Sequence, residues 1–451
     1  SIADYGATPN DQQPDTRSIQ AAINACKGTG GSVIVPAGIW NTGGIELGSN
    51  MEFHLRAGAE LRLIPDISLY PKIEHDGPRS DGPRKYYAAI YAPGVSNLII
   101  RGPGKINGSG PAFWDENFYD LGIGRPTLPR PEPTVELSDC NNVHVRGVQF
   151  ENLPSFALKF NRCDNVSAVD VRIENDRRSP NTDGIQITDT KNAFITRANI
   201  RTGDDAIVIK SYRRTVDNLV VSDSYLESDD GAIKFGTQVY KGIQNATFSN
   251  IVINESRYGI SLFQYDGGYF RNNRFDNIII KTGGRWDRHY PIYVDVDRRT
   301  TDSDYGQIDG LVFSNISIDT SGASLIAGHP KAPIRNLTLQ NINVTTPDKV
   351  FDLTKTGNKP SGNKDIRRDS ASENYASVPA HFVLGNAEHV VMKDIVIDDR
   401  DERLSRSALA LIGLEDVVIS DITVDTSAKT ILQKDVQRIR YGRVSNFAVG
   451  D

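Results

Sequence analysis

The stretch "SPNTDGIQIT" at residues 179–188 places one acid, Asp183, between a turn-forming Asn-Thr pair and a glycine, directly before alternating apolar residues. The same order returns in "TGDDAIVIKS" at 202–211 and in "SDDGAIKFGT" at 228–237. Alternation of apolar residues over four or more positions is typical of a β-strand. The three segments therefore predict three consecutive strands, each with an acid at its start.

An asparagine followed by an apolar residue and an alternating stretch recurs along the chain. The series is Asn97, Asn142, Asn165, Asn192, Asn218, Asn245 and Asn336, with looser copies near His389 and Asp416. From Asn142 to Asn245 the spacing is roughly 23 to 27 residues, which indicates a solenoid, propeller or array. A propeller blade needs roughly 40 residues or more. The sequence therefore favours an all-β fold, a parallel β-helix, with the asparagines in an internal ladder at one corner.

Helical periodicity is found mainly in "TRSIQAAINACKGTG", where Asp15 or Thr16 would begin a short amphipathic helix that covers the open first coil. Alternation predicts that Ile185 and Ile187 point inward and that Gln186 and Val208 point outward. We expect a single domain over residues 1–451, with longer loop excursions near 66–91, 110–134, 282–308 and 353–378.

Composition narrows the possible partners. The formal net charge of −6 argues against nucleic acid as a partner, because proteins that bind it usually carry a basic excess. No apolar run approaches the ~20 residues needed to cross a bilayer, so no membrane partner is predicted.

Cys140 and Cys163 occupy equivalent places in adjacent repeats, and we expect a stack of buried thiols there. We expect a monomer without a cofactor or metal, secreted or periplasmic after removal of a leader, because the chain opens at Ser1 without an initiator Met.

The acids of the first two segments would meet in such a coil. Equivalent residues of successive turns lie about 4.8 Å apart, so Asp183 would lie one turn below Asp204 and Asp205. Like charges this close raise at least one pKa, and a raised carboxyl beside an ordinary one supplies the acid and the base of glycoside hydrolysis. Clustered aspartates also suit Ca²⁺, and Asp is common at turns, so both alternatives stay open.

At this point the residues support a family resemblance. "NTDG" at 181–184, followed by "GDDAIVIK" at 203–210, looks like the paired signature of glycoside hydrolase family 28, the polygalacturonase family. The opening "DYGATPNDQQPDTRSIQAAINAC" and the later "GGSVIVPAGIW", "FHLRAGAELR" and "GKINGSG" also resemble that family's N-terminal cap and first coils. The resemblance implies an inverting hydrolase on a right-handed, single-stranded parallel β-helix. It implies Asp204 as the general acid, with Asp183 and Asp205 activating the attacking water, and carboxyl groups about 6.5 to 9.5 Å apart.

Two departures from the family pattern concern the substrate. "SDDGAIKFG" stands where polygalacturonases carry Gly-His-Gly, and "RYGISLF" stands where they carry Arg-Ile-Lys to grip a galacturonate carboxylate. We therefore expect a plant cell-wall type polysaccharide or oligosaccharide, with rhamnogalacturonan or branched pectin favoured over plain homogalacturonan. A polysaccharide lyase on the same type of coil and a non-catalytic glycan-binding β-helix are the alternatives.

Further substrate-binding candidates are polar, cationic or aromatic residues on the predicted neighbouring coils and loops. They are Asn181, Lys159, Lys210, Asp230, Lys234, Tyr258, Gln264, Tyr265, Trp286, Arg288 and His289. Lys210 and Lys234 would either bind an anionic sugar or form ion pairs with Asp205 and Asp230.

Overall fold

The computed structural model describes residues 1–75, 84–115, 124–127, 129–286, 288–347, 375, 378–400, 406–424, 430–444 and 448–450. The chain divides into two compact units. Unit 1 comprises Ser1–Val208 and Tyr212–Asp229, and unit 2 comprises Ile209–Ser211 and Asp230–Asp451. The single domain expected over residues 1–451 stays a prediction.

Unit 1 is built almost entirely of short strands. It begins with a 3₁₀ turn, Ile2–Tyr5, and the helix α1 (Thr16–Cys26), and it has further 3₁₀ turns at Ile67–Leu69 and Gly110–Phe113. Its strands are β1 (Ser32–Val35), β2 (Gly38–Thr42), β3 (Ile45–Glu46), β4 (Met51–Leu55), β5 (Ala59–Leu63), β6 (Lys72–His75), β7 (Arg84–Tyr87), β8 (Ile90–Pro93), β9 (Ser96–Arg101), β10 (Lys105–Asn107), β11 (Trp114–Asp115), β12 (Arg125–Pro126), β13 (Val135–Ser138), β14 (Asn141–Arg146), β15 (Gln149–Glu151), β16 (Leu158–Asn161), β17 (Asp164–Val169), β18 (Arg172–Glu174), β19 (Ile185–Thr188), β20 (Lys191–Thr196), β21 (Asn199–Thr202), β22 (Ile207–Ser211), which also contributes to unit 2, and β23 (Val216–Ser228).

The strands of unit 1 stack in parallel on successive sides of a coil. β13, β16 and β19 form one side, β14, β17 and β20 a second, and β15, β18 and β21 a third. In the first stack Leu158 pairs with Ile185 and Phe160 with Ile187, and all four side chains are fully buried. The predicted parallel β-helix is thereby confirmed.

Alternation correctly assigns the inner face but not the exposure of the outer one. Ile185 and Ile187 are buried as predicted, whereas Gln186 and Val208, which were expected to point outward to solvent, are 2% and 0% exposed. Gln186 pairs in register with Lys159 of the preceding coil. Side chains stacked at the inter-strand spacing of about 4.8 Å shield one another, so an outer-face position need not be solvated.

The helix α1 covers the start of unit 1. It buries Ile19 and Ile23, and Gln20 joins it to β3 by accepting from Glu46 N at 2.8 Å and donating to Glu46 O at 3.0 Å. Asp15 occupies the N-cap position, but its side chain makes no capping hydrogen bond to the helix. Among the described residues, no helix combines the length and apolar character that a membrane crossing requires.

Unit 2 continues the same construction with longer strands. They are β24 (Gly231–Val239), β25 (Gly242–Ser256), β26 (Tyr258–Gln264), β27 (Tyr269–Thr282), β28 (Tyr290–Val296), β29 (Gln307–Asp319), β30 (Ser324–Ala327), β31 (Ile334–Thr346), β32 (Ala380–Asp399), β33 (Ser407–Val424), β34 (Thr430–Lys434), β35 (Gln437–Tyr441) and β36 (Ala448–Gly450). β24, β26 and β28 pair in parallel, as do β25, β27, β29 and β31. β28 lies inside the excursion predicted at 282–308, so part of that segment belongs to the coil.

An aromatic stack fills part of the unit 2 core. Phe248 and Phe275 lie 5.0 Å apart between ring centroids with planes 15° apart, and Phe275 and Phe313 lie 5.2 Å apart at the same angle. Phe235 packs on Phe248 and Phe275 at 5.7 and 5.9 Å. Because successive coils repeat the same inward position, equivalent rings align and add stabilisation beyond their buried area.

The asparagine ladder exists, but it lies on the surface. Asn97 Nδ2 donates to Asn50 Oδ1 at 2.8 Å, and Asn142 Nδ2 donates to Asn97 Oδ1 at 2.7 Å. These residues have φ between 51° and 57° and are solvent-exposed or partly so. Asparagine tolerates this left-handed conformation because its side chain is short and polar. The internal position expected from the sequence is therefore wrong: the left-handed corner turns the amide outward.

The cysteines of adjacent coils are buried and unbridged, as expected. Cys140 and Cys163 are 2% and 0% exposed, and both are free thiols. Their sulfurs lie 3.1 Å from the carbonyl oxygens of Ala92 and Leu137.

Two predicted excursions contain antiparallel strand pairs, β6 with β7 within 66–91 and β11 with β12 within 110–134. Residues 76–83, 116–123 and 128 of these segments lie outside the described residues. The excursion at 353–378 also lies outside them, apart from Tyr375 and Val378.

Candidate active site

The three predicted catalytic acids come together in unit 1. One carboxylate oxygen from each of Asp183, Asp204 and Asp205 lies within 4.8 Å of the others. Gly184 N donates to Asp205 O at 2.8 Å and so joins the two coils at this point. Asp183 and Asp205 are 3% and 4% exposed, whereas Asp204 is only half-buried. Acids that lie about one repeat apart in the sequence are thus neighbours in the structure.

Two glycines allow the coils to approach at the acid cluster. A Cβ on Gly184 would lie 2.4 Å from Ala206 O, and one on Gly203 would lie 2.4 Å from Ser179 O. Neither distance is compatible with any other residue. Thr182 Oγ1 accepts from Gly203 N at 3.1 Å and thereby holds the two turns together. The Gly in "NTDG" and the Gly in "GDD" thus serve close packing of the coils that present the acids.

The carboxylate of Asp204 is held by donors on both oxygens. Oδ1 accepts from the backbone N–H of Asp205 at 2.9 Å, and Oδ2 accepts from Nδ2 of Asn181 at 3.3 Å. Ca²⁺ takes six to eight oxygen ligands, whereas Asn181 presents N–H donors to this cluster. The arrangement therefore suits proton transfer better than it suits a cation.

The three carboxyl groups approach one another closely, with one oxygen of each within 4.8 Å of the others. Asp204 and Asp205 are neighbours in sequence, and Asp183 lies one coil away at the inter-strand distance of about 4.8 Å. The separation of about 6.5 to 9.5 Å between acid and base carboxyl groups that inversion implies stays a prediction.

A buried arginine that sequence reasoning missed lies behind Asn181. Arg130 is 4% exposed, and its Nη2 donates to Asn181 Oδ1 at 3.0 Å. Its Nη1 donates to Pro154 O at 2.7 Å and to Pro180 O at 2.9 Å. The one available signal was an arginine between two prolines in "LPRPEP", which gives no indication of these distant partners.

Lys159, another predicted binding residue of unit 1, is largely covered. It lies on the outer face of β16, is 6% exposed, and its Nζ is 4.0 Å from a carboxylate oxygen of Glu136. Its role as a sugar ligand stays a prediction.

In unit 2 an acid is held by two cations. Asp230 Oδ2 lies 3.2 Å from Lys234 Nζ, and Asp230 Oδ1 lies 3.0 Å from Arg257 Nη1. Burial by itself would raise the pKa of Asp230, but the charges and hydrogen bonds of Lys234 and Arg257 outweigh it and hold that pKa below its ordinary value. The ion pair expected for Lys234 is thus present. Lys210, also assigned to unit 2, is half-buried.

Aromatic rings surround the Arg257 guanidinium. Its central carbon lies 4.7 Å from the ring centroid of Tyr258 and 4.2 Å from that of Trp286, within the range of cation–π contacts. Tyr258 in turn stacks on Tyr290 with centroids 5.5 Å apart, and burial raises the pKa of Tyr258 to about 12. Four residues of this cluster were predicted from the sequence as binding candidates, namely Asp230, Lys234, Tyr258 and Trp286.

The other binding candidates in unit 2 are buried. Gln264 and Tyr265 are 0% and 1% exposed, and Tyr265 donates its hydroxyl to Asp295 at 2.6 Å. Arg288 and His289 are 7% and 4% exposed. The structure does not bring these four side chains to a solvent-facing surface, and their contact with a sugar stays a prediction.

A parallel β-helix that presents three aspartates on adjacent coils fits a class of protein, the glycan hydrolases, in which one carboxyl group protonates the leaving oxygen and another activates water. The sequence profile of "Glycosyl hydrolases family 28" matches residues 58–362, well over half of the chain. The chain therefore belongs to glycosyl hydrolases family 28. It is an inverting glycoside hydrolase of the polygalacturonase-like, pectin-degrading group.

Individual relatives agree with this assignment. The chain is 25% identical over 357 residues to an endo-polygalacturonase of Pectobacterium carotovorum subsp. carotovorum, covering 74% of this chain and 85% of that protein. Its fold is similar to a family 28 exopolygalacturonase of Yersinia enterocolitica, with TM-score 0.66, 18% identity and coverage of 97% of this chain and 77% of the other. It is also similar to an exopolygalacturonase of Thermotoga maritima, with TM-score 0.61, 22% identity and coverage of 76% and 86%.

Proposed function

We propose that this family 28 enzyme hydrolyses rhamnogalacturonan or a branched pectin in preference to plain homogalacturonan. The observation that carries the proposal is the ion-paired Asp230 of unit 2, whose carboxylate is bound to both Lys234 and Arg257. Lys234 lies in "SDDGAIKFG", which stands where polygalacturonases carry Gly-His-Gly, and Arg257 lies in "RYGISLF", which stands where they carry Arg-Ile-Lys. An internal carboxylate bound to them competes with the carboxylate of a galacturonate sugar.

The charge on Asp230 explains why this competition would be effective. Lys234 and Arg257 hold its pKa below the ordinary value and so favour the ionised carboxylate. Charge-assisted hydrogen bonds are the strong contacts in sugar-acid recognition, and a cation shared with a fixed protein anion contributes less to a ligand. A neutral or substituted sugar at the reacting position requires no such cation. The names of the relatives support pectin as the substrate class, and Asp230 supports the narrower choice within it.

In the proposed reaction Asp204 is the general acid and donates its proton to the leaving glycosidic oxygen. Its half-exposed carboxyl is the member of the cluster best placed to reach a polymer. Asp183 and Asp205, both buried, together orient the attacking water and take its proton. Attack on the face opposite the leaving group gives inversion at the anomeric carbon.

The location of the enzyme follows from its substrate. A plant cell-wall polysaccharide cannot enter a cell intact, so we propose that the protein acts after secretion or in the periplasm. Lys159, Lys210 and Trp286 remain proposed sugar ligands, whereas the oxygen of Asn181 faces Arg130 and its Nδ2 faces Asp204.

Product analysis on matched oligosaccharides tests the proposal. The enzyme would be incubated with rhamnogalacturonan, homogalacturonan and branched-pectin oligosaccharides, with the anomeric configuration of the first product followed by proton NMR. We expect an inverted, saturated product, released with higher kcat/KM from rhamnogalacturonan or branched pectin. Equal or better cleavage of plain homogalacturonan would refute the preference, and an unsaturated product that absorbs ultraviolet light would refute hydrolysis.

A further inference from the structure

The guanidinium of Arg130 connects three separate segments of unit 1. It donates to the carbonyl oxygens of Pro154 and Pro180 and to the side chain of Asn181, and Glu132 lies 3.8 Å from its Nε. Its side chain is only 2% exposed. A buried arginine is costly unless its donors are satisfied by well-placed acceptors, so this position is strongly constrained.

Asn181 lies between Arg130 and Asp204, and their chemistry determines which way its amide faces. A guanidinium only donates hydrogen bonds, so the atom of Asn181 that faces Arg130 must be the oxygen. Its Nδ2 then faces Oδ2 of Asp204, which accepts at 3.3 Å. Rotation of the amide by half a turn would set N–H groups against N–H groups on one side and oxygen against oxygen on the other.

We propose that Arg130 is a positioning residue for the hydrolysis, fixing the amide of Asn181 so that Asn181 in turn holds the carboxyl group of Asp204 in its reactive orientation. This inference rests on the proposed role of Asp204 as the general acid. In this role Arg130 acts through Asn181 and not on the substrate directly.

The consequence for Asp204 follows from counting its acceptor sites. Each carboxyl oxygen has two lone pairs, and one on each oxygen is occupied by a donor, from Asn181 or from the backbone of Asp205. These two donors favour one orientation of the carboxyl plane and so of its transferable proton. Asp183 and Asp205 are charged groups beside this plane. Without Arg130 the amide of Asn181 can turn, and its support of this orientation is lost.

A double-mutant cycle on kcat tests the inference. The variants are Arg130→Gln, Asn181→Ala and the double variant, assayed on the best oligosaccharide substrate. We expect each single change to lower kcat by about 10 to 100-fold, the size expected for a misplaced catalytic group, with little change in KM. Because Arg130 acts through Asn181, the double variant should be no slower than Asn181→Ala. Losses that multiply in the double variant would show that Arg130 acts independently and would overturn the inference.

The pH profile gives a second readout that a purely structural role would not change. Loss of an N–H donor to the carboxylate raises the pKa of the acid, so Asp204 stays protonated to higher pH. The alkaline limb of kcat should therefore move to higher pH in Arg130→Gln and in Asn181→Ala alike. An unmoved limb in Arg130→Gln together with a moved limb in Asn181→Ala would overturn the inference.

Two further variants keep the test interpretable. Arg130→Lys retains the charge but cannot donate to all three acceptors. It replaces Arg130→Gln in the double-mutant cycle if Arg130→Gln does not fold. Arg197→Gln removes an exposed arginine that pairs with Asp170 on the surface of the same unit, and it should keep wild-type kcat. If Asp204→Asn retains full activity, the proposed function fails. If Asp204→Asn is inactive and the cycle is multiplicative, the role of Arg130 alone fails.

Discussion

Asp204 in unit 1 and Asp230 in unit 2 follow nearly the same sequence pattern but are held differently. The donors described for Asp204 are a side-chain amide and a backbone N–H, both neutral. The donors to Asp230 are Lys234 and Arg257, both cations. Neutral donors orient a carboxyl group in either protonation state, whereas two cations favour the charged form alone. One motif thus carries the proposed proton donor, and its near copy carries an aspartate whose pKa is held below its ordinary value.

The largest expected effect is that of Asp204→Asn. An amide of the same shape cannot transfer a proton, and general acid catalysis contributes roughly 10² to 10⁴-fold to the rate. We expect kcat to fall by about that factor, measured as sugar release under saturating substrate. The thermal unfolding midpoint should stay near that of the wild type, because Asn keeps the size of Asp. A variant with normal turnover would show that Asp204 does not act in the mechanism. The proposed difference in function between Asp204 and Asp230 would then be refuted.

Asp230→Asn should act on stability and selectivity instead. Removing the anion leaves Lys234 and Arg257, each with a side chain 13% exposed, without their shared partner. Breaking a buried ion pair costs roughly 3 to 5 kcal/mol, and partial exposure of the three groups places this change at the low end. We expect a lower free energy of unfolding by denaturant, together with a higher ratio of kcat/KM on homogalacturonan to that on rhamnogalacturonan.

The matched control for that substitution is Asp139→Asn, which removes an exposed aspartate paired with Arg162. It should change neither stability nor selectivity appreciably. Equal selectivity ratios in wild type and Asp230→Asn would show that the anion of unit 2 does not compete with the substrate.

The parts of the site that could be predicted are those fixed by the backbone repeat. Asp183 and Asp205 meet because residues one coil apart are held at the inter-strand distance whatever the side chains are. Gly184 and Gly203 follow from the same geometry, since only glycine fits the approach. Periodicity in the sequence therefore carries real information about this cluster.

The parts that could not be predicted depend on long side chains reaching across the fold. Arg130 contacts Asn181, 51 positions away, from a segment without periodicity. Arg257 contacts Asp230 across 27 positions, so "GDD" and "SDD" look equivalent until their partners are known. Burial of Gln264 depends in the same way on neighbours outside its own strand. Periodicity gives the position of a side chain on a coil, but not which distant side chain will pair with it.

A third aspartate, Asp399, tests whether a neutral partner also matters for stability. Its Oδ2 lies 2.9 Å from Nε2 of His381, and both side chains are buried. The pKa of His381 lies below its ordinary value of 6.5, because burial disfavours the imidazolium and Arg406 repels it, and together these outweigh attraction to Asp399. The unfolded chain therefore binds a proton that the folded chain does not.

The lowered pKa of His381 makes the stability of the folded protein decrease as the pH falls. The contribution of neutral His381 is fully present above pH 6.5 and is lost as the pH falls from there toward the lower folded pKa, by at most about 1.4 kcal/mol per pH unit. We expect the thermal midpoint of the wild type to fall between pH 7 and pH 5, and His381→Gln to reduce that fall. His54, His144 and His289 also have lowered pKa values, so part of the decline should remain in the variant. Identical declines in both proteins would refute the assignment to His381.

The smallest expected effect is that of Arg162→Gln on the free energy of unfolding. It tests whether burial or the ion pair itself provides the stabilisation. Arg162 holds Asp139 through two hydrogen bonds of 2.7 Å, a shorter and more complete pairing than that of Asp230, but the side chain of Asp139 is 55% exposed. Exposed pairs contribute about 0.2 to 1 kcal/mol, because water screens the charges. Arg162→Gln should therefore lower the free energy of unfolding by no more than that, with a still smaller difference at 1 M salt, where the screening length is about 3 Å. A loss as large as that of Asp230→Asn would mean that the number of hydrogen bonds, and not exclusion of water, determines how much these ion pairs stabilise the fold.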